Sequence, residues 1–166
     1  MKYWKAGAAF LAALLIQTSL LNVITIKGYT PNLTLCLVIV LSFMYEDEMY
    51  GVVFGALFGV LYDICYSSAV GAMPIALVVV AVFILIVREY ANIENIINLW
   101  VVSAVSIVGY YVLSWLLCFI SGNPIGIVFA LRALPWTGLY SMVVITIMYL
   151  VLIRKVVKHR KDRYFR

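Results

Sequence analysis

The sequence predicts an all-α integral membrane protein with six transmembrane helices. Of its 166 residues, 66% are hydrophobic and only 11% are charged, and the mean hydropathy is +1.11. Soluble domains are about 45–50% apolar and about 25% charged. The apolar residues also form long runs along the chain, broken only by short polar stretches, so no segment remains that could fold in water. We therefore expect a single polytopic membrane domain over residues 1–166.

The predicted spans follow from counting about 20 residues for each crossing. The first apolar run continues to Ile26, past the length of roughly 7–15 residues usual for a signal peptide, so we expect a spanning helix rather than a cleaved leader. The second span is expected to begin at Pro31 with Thr30 as its cap, because the first turn of a helix does not need the N–H that proline lacks. The six predicted spans are 6–26, 31–46, 49–66, 73–87, 96–120 and 136–153, followed by a basic tail at 154–166.

The distribution of basic residues predicts the orientation of these spans. An even number of crossings places both termini on one side of the membrane. Only Lys27 and Arg132 then fall on the opposite side, whereas the other Lys and Arg residues share the side of the termini. Basic residues are enriched in cytoplasmic segments, so we expect both termini to be cytoplasmic.

Three glycines spaced four residues apart mark the third span, "GVVFGALFGVLYD". Gly51, Gly55 and Gly59 lie along one ridge of a helix. Small residues let helix backbones approach closely in a bilayer, where packing drives helix association. We expect this ridge to pack against another helix of the same chain and the third span to lie at the centre of the bundle. Docking of a helix from a partner is the alternative.

Asp63 follows the ridge by four residues and is unusual because a carboxylate is costly inside a membrane. Counted from residue 49 at about 1.5 Å per residue, Asp63 lies roughly 20 Å along the span, in the outer leaflet or near the outer interface. We expect its side chain to face the bundle and to accept hydrogen bonds from the following loop and from the start of the fourth helix. A structural role is one interpretation, and a part in transport or partner contact is the alternative.

The remaining polar residues predict no enzyme, no cofactor and no metal site. His159 is the only histidine, and no nucleophile, nucleotide-binding or metal-ligand motif occurs. The consecutive acids Glu46, Asp47 and Glu48 point in different directions, so we interpret them as a solvated cytoplasmic loop. The net charge of +5 comes from residues that flank the membrane, and we therefore expect no nucleic-acid binding. Gln17 is the one strongly polar residue of the first span.

The outer stretch "SGNPIGIVFALRALPW" is expected to lie along the membrane surface before the sixth span begins. Two prolines bracket an apolar run that carries Arg132, and Trp136 lies at the expected water boundary. Simple anchoring at the interface is one interpretation. The alternative is a docking site for a partner, with Arg132 and Trp136 as its candidate residues.

The order of these features resembles the rod shape-determining protein MreD family. The resemblance is strongest between residues 31 and 71, and from about residue 92 onward it holds only in hydropathy. One position differs, because family members often carry an acidic residue after the proline and this chain has Asn32. The features that match are Gln17 in the first span, Pro31 at the start of the second, Asp63 at the end of the glycine-ridged third, and Gly71 in a tight loop.

The resemblance implies a non-enzymatic scaffold of the bacterial elongation machinery, located in the inner membrane. Its implied partners are MreC, the glycosyltransferase RodA with its class B penicillin-binding protein, membrane lipids and, directly or through other subunits, the MreB filament. The implied fold is similar to the substrate-binding subunits of energy-coupling factor vitamin transporters. Capture of a small molecule, as in those transporters, is the alternative function. For the basic tail, attraction to anionic lipid and contact with a cytosolic partner both remain open.

Overall fold

The computed structural model describes residues 3–19, 31–45, 47, 49–66, 71–91, 95–122 and 127–164. These residues form helices and short connections, and no strand occurs among them, which confirms the all-helical prediction. A π-helical turn at Met49–Val53 leads directly into the third helix. The helices are α1 (Tyr3–Ser19), α2 (Leu33–Met44), α3 (Phe54–Tyr66), α4 (Ala72–Arg88), α5 (Ile96–Ile120) and α6 (Ile127–Tyr164).

The outer surface of the described bundle exposes many large apolar side chains. Two helical segments, Ile96–Ile120 and Leu134–Ile153, are long and apolar enough to cross a membrane, and only 33% and 28% of their most apolar windows are buried. Large apolar side chains such as Leu139 and Val101 are 67% and 59% exposed. A helix at the surface of a soluble protein turns polar residues outward instead. This surface is typical of a bundle surrounded by lipid, while the number of crossings and the side of the termini stay predictions.

The central element of the bundle is α2 rather than α3. Every residue of α2 from Leu33 to Met44 is buried, and this helix contacts all five of the other α-helices. In contrast, α3 exposes Leu57, Leu61 and Ile64. The expectation that the third span lies at the centre was therefore wrong. Hydropathy did not distinguish the two helices, because lipid and protein interior both favour apolar side chains.

The start of α2 differs from the expected one. The helix begins at Leu33, and its cap is Asn32, whose side-chain oxygen accepts a hydrogen bond from the backbone N–H of Leu35 at 3.0 Å. Pro31 therefore precedes the cap instead of occupying the first helical position. Thr30, the expected cap, lies outside the described residues. Asparagine is at least as good a cap as threonine, which accounts for the shift.

The sixth helix is longer than the predicted sixth span. It begins at Ile127, ahead of residue 136, and continues without a break through the basic segment to Tyr164. Pro135 lies inside it and cannot donate a backbone hydrogen bond. The hydroxyl of Thr137 donates to the carbonyl of Leu134 at 3.4 Å beside this proline. Residues 127–135, expected to be an interfacial element of their own, are thus the first turns of α6.

Candidate functional site

The glycine ridge of the third helical segment packs inside the chain, between α2 and α4. A Cβ atom built on Gly55 would lie 3.1 Å from the Cγ2 of Val38 in α2 and 3.8 Å from the Cβ of Leu77 in α4. A Cβ atom on Gly59 would lie 2.8 Å from the Cα of Pro74, which is closer than real Cβ contacts. Glycine is therefore what allows the two helix backbones to approach at this crossing.

The ridge begins in the π-helical turn. Gly51 lies against the side chain of Ser42, so that a Cβ atom at this position would overlap the hydroxyl oxygen of that serine. Ser42 is fully buried, and its hydroxyl has no hydrogen-bond partner among the described residues. The turn thus brings the start of the third segment into contact with the last turns of α2.

Bulky residues beside the glycine ridge on α3 hold α1. The ring of Phe10 stacks on Phe54 and Phe58, with centroids 5.7 and 5.3 Å apart. Phe10 is fully buried. The glycines of the ridge therefore make close backbone contact with α2 and α4, and the phenylalanines beside them pack against α1.

Asp63 lies at the end of the ridge and holds the beginning of α4. Its carboxylate accepts hydrogen bonds from the backbone N–H groups of Gly71 at 2.8 Å and Met73 at 3.1 Å, and the residue is 1% exposed. A negative charge at a helix N-terminus is stabilised by the unpaired N–H groups there. Gly71 has φ of +108°, a backbone conformation that favours glycine. These contacts account for both the buried acid and the glycine, and the functional role of Asp63 stays a prediction.

Gln17 connects α1 to the start of α2. Its side-chain oxygen accepts hydrogen bonds from the backbone N–H of Thr34 at 3.3 Å and from the Thr34 hydroxyl at 3.4 Å. Both residues are buried. The amide therefore satisfies one of the N–H groups that the first turn of α2 leaves open.

Asn32 connects the same end of α2 to α5. While its oxygen caps α2, its amide nitrogen donates to the hydroxyl of Tyr110 at 3.2 Å. Tyr110 is 2% exposed and was missed by the sequence analysis. A signal was present, because Ser103, Ser106 and Tyr110 recur at helical spacing within the apolar run of α5 and all three are buried. A neutral asparagine suits this position, since it donates to the tyrosine as well as capping the helix.

The other end of the bundle has an aromatic cluster that includes one of the three consecutive acids. The hydroxyl of Tyr3 donates to Asp47, and its ring stacks on Tyr50 with centroids 5.3 Å apart. The Tyr50 ring lies 4.9 Å from that of Tyr45. The carboxylate of Asp47 raises the pKa of the Tyr3 phenol, because it accepts a hydrogen bond from the neutral phenol and its charge disfavours a second negative charge nearby. Asp47 is thus more than part of a solvated loop, while Glu46 and Glu48 lie outside the described residues.

Arg88 closes the same end of α2. The residue is 7% exposed, and its guanidinium donates to the backbone carbonyl of Met44 at 3.5 Å. A cation at a helix C-terminus interacts favourably with the unpaired carbonyl groups. The sequence analysis used Arg88 only as a marker of orientation, whereas the structure places it against the central helix.

The two candidate docking residues, Arg132 and Trp136, both lie in α6. Trp136 lies in α6 and is 43% exposed, as an anchor at a membrane boundary would be. Arg132 lies in the first turns of α6, but its side chain is outside the described residues. Their role in docking stays a prediction.

The described residues offer no arrangement suited to metal chemistry. No group of three His, Cys, Asp or Glu side chains comes together in this part of the chain. The polar side chains at the Asp63 end of the bundle instead bind the ends of neighbouring helices. Their arrangement is that of a framework whose buried hydrogen-bonding groups fix helix positions.

A comparison with protein-family models matches residues 2–158 to the rod shape-determining protein MreD. The chain belongs to the MreD family. Searches of the curated proteins and of the solved structures give no match. The MreD match extends through α5 and most of α6, the part in which the sequence resembled the family only in hydropathy. Membership in the MreD family gives this chain a role in determining rod shape as a membrane protein of the cell-shape machinery.

Proposed function

We propose that this MreD-family protein is a non-enzymatic scaffold that crosses the inner membrane six times with both termini in the cytoplasm. In this proposal it binds MreC and supports lateral peptidoglycan synthesis by RodA and its class B penicillin-binding protein. Contact with the MreB filament is direct or passes through these subunits. The scaffold acts by presenting fixed helix surfaces rather than by converting a substrate.

One observation carries this proposal: the predicted polar residues of the bundle are used to hold its own helices. Asp63 binds the start of α4, Gln17 binds the start of α2, and Asn32 joins α2 to α5. A binding site for a small molecule needs polar groups that converge on the ligand. Here these groups converge on backbone N–H groups and on each other. In this proposal the protein binds its partners through its outer surface.

The test is affinity purification of the tagged protein from its own host in mild detergent, followed by mass spectrometry. We expect MreC and RodA to be recovered with the chain. The alternative function, substrate capture for an energy-coupling factor transporter, predicts instead a pair of ATPases and a coupling membrane subunit. Recovery of those subunits without any wall-synthesis protein would contradict the scaffold proposal.

The docking surface is proposed to include Arg132 and Trp136 on the outer side. Reversing the charge with Arg132→Glu is expected to lower recovery of MreC, because an ion pair or hydrogen bond at the interface is lost. Lys27→Glu is the matched control, since Lys27 is the other basic residue predicted on that side. Unchanged recovery of MreC with Arg132→Glu, or equal loss with both variants, would count against this docking surface.

A further inference from the structure

The last helix does not end where its membrane-spanning part ends. The apolar segment Leu134–Ile153 has 20 residues, and α6 continues through residues 154–164 without a break. This continuation, which we name the basic arm, contains Arg154, Lys155, Lys158, His159, Arg160, Lys161 and Arg163 with a single acid, Asp162. A helix that continues straight out of a membrane differs from a tail that lies on the lipid surface.

The rise of the helix gives the distance that the arm covers. The 20 residues of the apolar segment extend about 30 Å, which is the full thickness of the hydrocarbon layer. The polar headgroups add only about 5–7 Å on each side. Residues 154 and 155 therefore lie at headgroup level, whereas Lys158 lies about 7.5 Å beyond Ile153 and Tyr164 about 16 Å beyond it.

The outer part of the arm extends away from the lipid charges. Attraction to an anionic membrane falls off within a Debye length, about 8 Å at physiological ionic strength. Lipid attraction is therefore strongest at the two inner basic residues and weakens along the arm. Arg163, about 15 Å beyond Ile153 and about 8–10 Å beyond the headgroups, lies a full Debye length from the lipid charges.

We propose that the outer half of the basic arm binds an acidic surface of a cytoplasmic protein and holds it at a fixed distance from the membrane. The inference rests on the proposed cytoplasmic position of the C-terminus. Charge complementarity selects the partner, because this stretch of chain contains four Lys or Arg residues and only one acidic residue. The continuity of the helix supplies the fixed distance, which a flexible tail with the same charges does not.

The experiment places a photo-crosslinking phenylalanine derivative at Tyr164 in the full-length protein in its own host. It compares four variants, two of which are controls. Val156→Pro breaks the arm and keeps all of its charges, because proline removes a helix hydrogen bond and clashes with the preceding turn. Val156→Ala keeps the helix and is the matched control. In the third variant Lys158, Arg160, Lys161 and Arg163 are changed to Gln. The fourth variant, with Arg154→Gln and Lys155→Gln, is its control.

We expect one main protein adduct, crosslinked through an acidic peptide. Its yield is expected to fall about tenfold with Val156→Pro and with the four outer Gln substitutions, and to persist in both controls. A lipid adduct alone, no adduct, a peptide without net negative charge, or a yield unaffected by Val156→Pro overturns the proposal. Recovery of MreC is measured on the same proteins. If the protein adduct is absent but MreC is still recovered, the proposed role of the basic arm is wrong and the scaffold proposal is unaffected. Failure to recover MreC counts against the scaffold proposal itself.

Discussion

At the scale of single residues, the sequence was most informative where a polar group interrupts an apolar run. A charge such as Asp63 is too costly to face lipid, so burial and hydrogen bonding at a helix start were predictable from physics. Tyr110 was not found, because tyrosine is common in membrane helices and its partner Asn32 is 78 residues away in the chain. A polar residue in an apolar run thus predicts that a hydrogen-bond partner exists, but it does not predict which residue is that partner.

Removing the carboxylate of Asp63 is expected to destabilise the bundle. Asp63→Ala leaves the N–H groups of Gly71 and Met73 without their acceptor, at a cost of about 2–3 kcal/mol. Asp63→Asn keeps one oxygen acceptor and is expected to cost less than half as much. Thermal unfolding of the detergent-purified variants measures both. An alanine variant as stable as the wild type would show that the carboxylate does not hold α4.

The two bonds of Asn32 are expected to contribute separately to stability. Asn32→Ala removes the cap of α2, worth about 0.5–2 kcal/mol, and also the bond to Tyr110, worth about 1 kcal/mol. Tyr110→Phe removes only the second bond and should cost less. Because the variants share that bond, the double variant is expected to cost less than the sum of the two single ones. Strict additivity in the same unfolding measurement would argue against the Asn32–Tyr110 contact.

At the scale of helices, spacing predicted a packing ridge but not the helices that it contacts. Four-residue spacing places Gly51, Gly55 and Gly59 on one side of a helix whatever lies opposite. The neighbours, α2 and α4, depend on how the whole bundle assembles. The same limit explains why α2 was not recognised as the central helix. Its uniformly apolar sequence suits burial in protein and exposure to lipid equally well.

Adding one methyl group to a glycine of the ridge is expected to destabilise the bundle, by an amount that depends on whether the new Cβ contacts backbone or a side chain. Gly59→Ala places a Cβ against the backbone of Pro74, which cannot move independently, and is expected to cost about 1–3 kcal/mol. Gly55→Ala meets the side chain of Val38 and should cost less.

Gly109→Ala is the matched control for this series. It is a glycine of α5 whose added Cβ would meet no described atom within 4 Å. Because alanine favours helix over glycine, this variant is expected to be neutral or more stable by up to about 1 kcal/mol. Equal unfolding temperatures for Gly59→Ala and Gly109→Ala would contradict close packing at the ridge.

At the scale of the whole molecule, composition predicted the all-helical fold, and the predicted fifth span coincides with α5. The continuation of α6 was not predicted, because hydropathy ends a span at the first basic residue although the helix hydrogen bonds do not end there. The number of crossings and their orientation are predictions from hydropathy and from the distribution of basic residues.

The predicted orientation is testable with reporter fusions. A fluorescent protein fused after Tyr90 or after the C-terminus is expected to fluoresce, because both positions are predicted to be cytoplasmic. Alkaline phosphatase fused after Gly122 is expected to be active, since that position is predicted to lie outside the cytoplasm. Fluorescence of a fusion at Gly122, or phosphatase activity at the C-terminus, would be incompatible with six crossings in this orientation.

The most direct test of the scaffold is native mass spectrometry of the protein released from membranes of its own host. The account predicts that the buried polar groups bond to neighbouring helices and that the surface binds MreC. The released complex is then expected to have the combined mass of this chain and MreC, and to carry no specific small molecule. A chain that leaves the membrane without MreC and with one tightly bound small molecule would contradict the account.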